Sequence, residues 1–304
     1  MGFRRIVGLG LCVVDHLYLV EALDLSASRT RSLERLVSTG GMACNAVVQA
    51  ARLGCNAHLL SVLGDDPEGR FLRRTLTRVG VKTRRIALSR ELPTTIAVIL
   101  VAKGGGERRF IVPDRRALER KAPDLDLALI DRRTLLLVDG HFSRQALRAV
   151  RRARDVGATV IGDFSRPRPA YLELLPHVDF PIVPLEFAEA YGEGDPKRAL
   201  RMLRERFGGS PVVTMGGEGG FYLRGGRTRR YRAHRVAVRD TTGAGDAFHG
   251  AFAAGLYHGM DFEGSIALAA RAAAICCTAL GGTSRLLDRE EMATPRSRGR
   301  ASAP

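Results

Sequence analysis

The segment Asp240-Thr241-Thr242-Gly243-Ala244-Gly245-Asp246-Ala247-Phe248 sets a run of small residues against a carboxylate. Apolar residues at 247, 248, 251, 252 and 256 then repeat at the spacing of one helical face, which predicts a helix opening near Gly245. The first amides of a helix lack intrahelical partners and carry the positive end of its dipole. Gly243, Ala244 and Gly245 leave such amides uncovered, so a phosphate or a developing oxyanion can rest there. Asp246 beside an anion repels it, and that repulsion demands a compensating use: taking the proton from an attacking hydroxyl. The plain alternative is a tight turn followed by a charge that complements the dipole. A bare Gly-x-Gly-Asp would fit that alternative, whereas the full nine-residue string is far more specific.

Other segments carry related chemistry. Thr214-Met215-Gly216-Gly217-Glu218-Gly219-Gly220 is a Gly-rich turn after an apolar run. Gly40 and Gly41 allow close backbone approach to a ligand, and Asn45 either caps the following helix or binds a hydroxyl. Asp15 follows the apolar run 5–14 and can accept two hydroxyl hydrogen bonds. Two nucleotide motifs are excluded. No G-x-x-x-x-G-K-[ST] occurs, and Gly8-x-Gly10 is followed by Val at position 13, which breaks the dinucleotide fingerprint.

These residues need a scaffold. Residues 5–14 read as one buried strand with Asp15 at its end. Residues 15–39 and 93–113 alternate apolar and polar side chains, and Gly104-Gly105-Gly106 predicts a hairpin within the second run. From Asn45 onward strands alternate with amphipathic helices: 135–139, 159–163, 180–183 and 211–215 read as parallel strands. That order predicts an α/β fold, a doubly wound, mainly parallel sheet with helices on both faces. Ligands bind beyond the carboxyl ends of such strands, where Asp15, Asp139, Asp163 and Thr214 fall.

The nine-residue string resembles the C-terminal signature of the ribokinase-like (PfkB) carbohydrate kinases. The upstream run Gly40-Gly41-Met42-Ala43-Cys44-Asn45-Ala46, with Ala50-Ala51-Arg52-Leu53-Gly54, Val62-Leu63-Gly64-Asp65-Asp66 and Gly69, resembles their N-terminal signature. The resemblance covers all but about the last dozen residues. It implies a kinase core over 1–14, 40–92 and 114–292, and a small β lid over 15–39 and 93–113. It also implies ATP and Mg²⁺ as cofactors, Asp246 as base, and an anion hole at Gly243, Ala244 and Gly245. The matching sugar ligands are Asp15, Gly40, Gly41 and Asn45, and the nucleotide residues are Thr214, Gly216 and Gly219. Asp240 and Thr242 match residues that hold a monovalent cation, but Arg285 stands where a small residue is common, which puts K⁺ in question. The family's Asn-x-x-Glu is replaced by Pro184-Leu185-Glu186-Phe187-Ala188-Glu189, leaving Glu186 or Glu189 as substitutes. That loss and Asp139-Gly140-His141 resemble the ketose-phosphorylating branches, ketohexokinase and sulfofructose kinase among them. His141 is then a candidate ligand, and Arg109, with Lys103 and Arg108 on the same hairpin, a candidate for an anionic substituent. A nucleoside is the second substrate expectation, with Tyr18 or Phe110 as aromatic platform. A homodimer through the lid is expected.

Composition narrows the alternatives. The formal charge is +16, but Lys occupies only positions 82, 103, 121 and 197, and the Arg residues scatter over helical faces without interleaved aromatics. That pattern reads as solvated surface rather than a nucleic-acid footprint. Five Cys without C-x-x-C spacing and seven His without H-x-x-x-H predict free buried thiols, no zinc site and a reducing cytoplasm. Gly8, Gly10, Asp15 and His16 interrupt the N-terminal apolar run, so no leader is expected. No apolar run approaches the roughly 20 residues of a membrane span. Residues 293–304 read as a disordered tail. A sugar-phosphate kinase of the same family stands beside the nucleoside kinase as an alternative, and a non-catalytic sugar-binding relative comes after both, since the intact Asp246 speaks against it.

Overall fold

The computed structural model describes residues 2–24, 26, 28–104 and 107–294. In chain order its strands are Arg5–Leu9 (β1), Val13–Val20 (β2), Ser32–Gly40 (β3), Ala57–Leu60 (β4), Val62–Gly64 (β5), Ala87–Ser89 (β6), Ile96–Ala102 (β7), Arg108–Ile111 (β8), Thr134–Val138 (β9), Thr159–Asp163 (β10), Phe180–Pro184 (β11), Val212–Thr214 (β12), Gly220–Arg224 (β13) and Arg227–Tyr231 (β14). Its α-helices are Met42–Arg52 (α1), Pro67–Arg78 (α2), Arg116–Lys121 (α3), Ser143–Val156 (α4), Pro169–Leu174 (α5), Leu185–Tyr191 (α6), Pro196–Phe207 (α7), Ala244–Tyr257 (α8), Phe262–Cys276 (α9) and Arg289–Ala293 (α10).

The main sheet has the order β14-β13-β12-β11-β10-β9-β1-β4, parallel from β4 to β12 and antiparallel at the β12–β13–β14 edge. Strand alternation divides its side chains between two helix layers. Leu135 and Leu137 join a core with α1, α8 and α9, while Leu136 and Val138 join one with α4 and α7. Each such fully buried aliphatic side chain stabilises the fold by about 1.5–3 kcal/mol. A purely apolar run like Leu135-Leu136-Leu137-Val138 is what a strand covered on both faces requires.

A second sheet has the order β3-β2-β7-β8, with β2 and β3 antiparallel, β2 and β7 parallel, and β7 and β8 antiparallel. It is built from the two runs read as lid segments. The hairpin joining β7 to β8 is present, although Gly105 and Gly106 lie outside the described residues.

One element differs from the sequence reading. Residues 5–14 are not a single strand. The chain turns at residues 10–12, where Ser61 Oγ donates to Gly10 O and the Leu11 amide donates to Asp139 Oδ2. Val13 therefore starts a new strand that leaves the main sheet. Asp15 lies inside β2, not at the end of β1. At the C-terminus α10 ends at Ala293, and the expected tail from 295 onward lies outside the described residues. Among the described residues no helix is long and apolar enough to cross a membrane.

Candidate active site

Helix α8 starts where the sequence requires. Gly243 caps it in the left-handed region, with φ 76° and ψ 0°, and a Cβ there would overlap the Gly282 backbone. Asp240 staples this turn from below. Its Oδ1 accepts from the amide and hydroxyl of Thr242 at 2.9 and 2.8 Å, and its Oδ2 accepts from the Gly281 amide at 2.8 Å. The pair assigned to a cation by resemblance is thus engaged in holding two loops together. Arg285 turns away to Glu291 and the carbonyl of Leu286. The Ala244 amide already donates to Thr241 O at 3.3 Å. The amides left available to an anion at this end are therefore the following ones, Gly245 and Asp246, which a first turn cannot satisfy itself.

Thr214, Gly216 and Gly219, the expected nucleotide residues, line one cavity of about 490 Å³ together with Ala244 and Gly245. That volume is in the range of small-molecule sites. Ala270, Ala273 and Ala274 of α9 give it a low apolar wall. Glu186 is the acid among its lining residues and pairs with Arg166, whereas Glu189 is exposed elsewhere on α6. Phe187, in the same stretch, is fully buried in the core.

The polar end of the site gathers around Asp246, which is partly buried. Asn45 Nδ2 donates to Asp246 Oδ2 at 2.8 Å, while Asn45 Oδ1 is buried without a partner among the described residues. Asn45 is the fourth residue of α1, whose cap is Gly41, so it does not cap that helix. Asp15 is buried and shares this corner. Gly40 clears space for it, because a Cβ at 40 would overlap the Asp15 carboxylate. A Cβ at Gly41 would likewise meet the backbone of Leu11. These glycines serve close packing within the protein, a use the sequence did not reveal.

Burial, then the charges of Asp246 and Asp240, push Asp15 up to about 7. Burial, then Asp163 and Asp139, push Asp246 up to about 7 as well, against the Asn45 hydrogen bond and His249, which lower it. Both groups hold protons in the folded protein between about pH 4 and pH 7 that the unfolded chain has released. Stability therefore falls as pH rises through that window and levels off above it. We expect the ligand-free protein to melt at a lower temperature at pH 8 than at pH 5.5. The Asp15→Asn variant should show a shallower slope by scanning calorimetry, and an unchanged slope would remove Asp15 as its cause.

His141 is buried. Its Nδ1 lies 3.2 Å from Asp139 Oδ1. Asp139 is fully buried and also accepts from the amides of Leu11, Ala43 and His141 at 2.8, 3.1 and 2.9 Å. Burial pushes this carboxyl up, but His141 and the amides outweigh it and hold it below the ordinary range. Asp139 thereby fixes the β1–β2 turn, the start of α1 and the end of β9 in one arrangement.

Arg109 is a correction. In the small sheet Leu100 pairs with Arg109 and Val101 with Arg108, while Ala97 pairs with Asp15. Alternation puts Arg108 and Phe110 on the Asp15 face, and Arg109 and Tyr18 on the opposite one. Arg109 cannot serve this pocket, nor can Tyr18 be its platform. Arg108 instead reaches Thr241 Oγ1 and lines the cavity. Asp163 was placed at a strand end from the sequence but given no role, and His249 was given none either, although it lies one helical turn after Asp246. That i to i+3 spacing was the available signal.

Residues 4–289 match the sequence family described as pfkB family carbohydrate kinase. The chain is 26% identical to the ribokinase of Haemophilus influenzae, an alignment covering 95% of this chain and 97% of the relative. It is 28% identical to the 2-dehydro-3-deoxygluconokinase of Thermoproteus tenax, covering 84% and 82%. Among solved structures, the ribokinase of Thermotoga maritima superposes with a TM-score of 0.80 at 25% identity, covering 95% of this chain and 98% of the other. The Arabidopsis thaliana ribokinase complexed with ribose and ATP has the same fold, with a TM-score of 0.79 at 21% identity, covering 96% and 98%.

Proposed function

This chain belongs to the pfkB family of carbohydrate kinases, and on that premise we propose that it transfers the γ-phosphoryl of ATP to a primary hydroxyl of an uncharged sugar, a ketose first of all. The observation that carries the reading is the Asp246 carboxylate at the mouth of α8, hydrogen bonded to Asn45 and adjoining the cavity lined by Thr214, Gly216 and Gly219. Phosphoryl transfer needs alignment and charge stabilisation more than covalent help. Asp246 takes the proton of the attacking hydroxyl, and the amides of Gly245 and Asp246 receive the transferring group.

ATP would lie in the cavity with its base along the alanine wall of α9. Magnesium, when bound, neutralises the phosphate charge, and Glu186 is our assignment for the carboxylate on its side. Arg108 supplies a positive charge from the small sheet at Thr241. Asp15, Asn45 and His141 would hold the sugar. The small sheet, residues 15–39 with 93–113, then acts as a lid over the core formed by the rest. Val37 and Ile111, exposed on its outer face, support a homodimer through it.

An uncharged substrate follows from the charge balance. Asp15, Asp139, Asp163 and Asp246 meet at this end, and repulsion among them already raises Asp15, Asp163 and Asp246. A carboxylated or phosphorylated sugar would add to that repulsion. A nucleoside is the second reading, favoured by Phe110, half exposed on the face that carries Asp15.

An ATP-consumption screen over neutral ketoses and aldoses, sugar acids, sugar phosphates, sulfosugars and nucleosides tests the proposal. Turnover of a neutral ketose or pentose is expected. Turnover confined to anionic sugars would overturn the charge argument, and turnover confined to nucleosides would favour the second reading. In Asp15→Asn the KM for the sugar should rise roughly tenfold or more, since charge-assisted hydrogen bonds to hydroxyls are lost. Its KM for ATP should stay put, and equal changes in both would mean that Asp15 acts on the whole fold.

A further inference from the structure

His249 faces acceptors on every polar side. Its Nδ1 lies 2.8 Å from Gly245 O and 3.4 Å from Asp163 Oδ2, and its Nε2 lies 3.2 Å from Ile182 O. Both side chains are buried, with exposures of 4% for His249 and 7% for Asp163. Asp163 Oδ2 is closed to solvent and has no hydrogen-bond partner among the described residues. Neither group lines the cavity of Thr214, Gly216 and Gly219, and both act electrostatically on Asp246, which lies one helical turn from His249.

The hydrogen-bond geometry selects the charge state. A neutral imidazole has one N–H and one lone pair. Either neutral tautomer of His249 would turn its lone pair onto a main-chain carbonyl oxygen. A ring protonated on both nitrogens satisfies Gly245 O and Ile182 O together, and leaves Asp163 Oδ2 as its counter-charge. Burial acts the other way: it takes His249 below its ordinary range although the Gly245 and Ile182 carbonyls raise it, and with the Asp139 charge it pushes Asp163 well above its own. Moving the proton onto Asp163 conserves the count of two but leaves the ring lone pair against a carbonyl, and that local cost decides for the ion pair.

We propose that His249, as an imidazolium, and Asp163, as its buried carboxylate, are positioning residues that set how readily Asp246 accepts the substrate's proton. His249 draws Asp246 toward its ionised, proton-accepting form, and Asp163 keeps that form basic. The remaining groups facing Asp246 are Asp139 just after β9, Asp15 from β2, Asn45 and Cys44 from α1, and Cys276 from α9. None of them is substituted in the two variants below, so a shift is assignable to the pair. The inference rests on the role given to Asp246 above.

The test is spectroscopic first, which separates it from the kinase reading. In ligand-free protein at pH 7.5, ¹⁵N spectra of the His249 ring, assigned with His249→Gln, should show protons on both nitrogens; a neutral ring overturns the proposal. The ¹³C carboxyl titration of Asp246, assigned with Asp246→Asn, should move down by roughly one pH unit in Asp163→Asn and up by a similar amount in His249→Gln. Midpoints that stay put in both folded variants would reduce the pair to a structural role. If Asp163→Asn does not fold, the ring spectrum of the unaltered protein and the His249→Gln titration still decide. With a substrate in hand, the acid limb of kcat/KM should follow the same two directions. A protein that passes the spectra but phosphorylates nothing would sink the functional reading alone.

Discussion

The Asp246→Asn variant should lose about 10²–10⁴-fold in kcat, the range for removing a positioned general base. The change is nearly isosteric. An amide oxygen at 246 can still accept the hydrogen bond from Asn45 Nδ2, so the corner keeps its shape. What disappears is the capacity to take a proton. The cavity proposed for the nucleotide is not lined by this carboxylate, and ATP affinity by calorimetry should change less than twofold. Stability should rise slightly near neutral pH, because a carboxyl pushed up by burial and by Asp163 is removed. A variant that keeps most of its kcat would remove Asp246 from the proton transfer, whatever its effect on KM.

Gly243→Ala should be nearly as damaging, by a different physical route. At φ 76° an L-residue is strained, and the added Cβ would overlap the Cα of Gly282. The atoms it would meet all belong to the Gly282 backbone, so no rotamer relieves the overlap. The 281–284 loop is also tied down, with Gly281 N on Asp240 Oδ2 and Gly282 O accepting from the Cys276 thiol. Either that loop or the start of α8 has to move. We expect a loss of about 2–3 kcal/mol in stability from strain and broken hydrogen bonds. A fall of about 10²–10³-fold in kcat should accompany it, as for loss of a preorganised donor to developing charge. Gly245→Ala is the internal control. Nothing lies within 4 Å of a Cβ there, and its backbone is helical, so denaturant melts should show unchanged or raised stability. Equal destabilisation by the two substitutions would contradict the packing argument.

Much of the molecule was legible beforehand. The period-2 and period-3.6 patterns gave the doubly wound sheet, the α8 helix and the strands of the small sheet. The small residues at 243–245 marked the helix mouth because such motifs are local: their chemistry follows from the backbone conformations of adjacent residues. The turn at residues 10–12 was not legible. An apolar run looks the same whether it continues in one sheet or crosses to another, and the bend is fixed by Asp139 and Ser61, which lie far along the chain.

The same division runs through the site. By itself the sequence determined that a carboxylate would stand in the first turn of a helix with glycine turns nearby, since spacing along one segment decides that. Only the tertiary structure decided which partners that carboxylate meets. Strand register turned Arg108 inward and Arg109 outward, a choice of one residue that alternation makes absolute. Packing joined Asn45 to Asp246 across 201 positions and His249 to Asp163 between α8 and β10. Those contacts set the charge balance of the site. Electrostatics depends on distance and burial in space, neither of which is written into a one-dimensional order of residues.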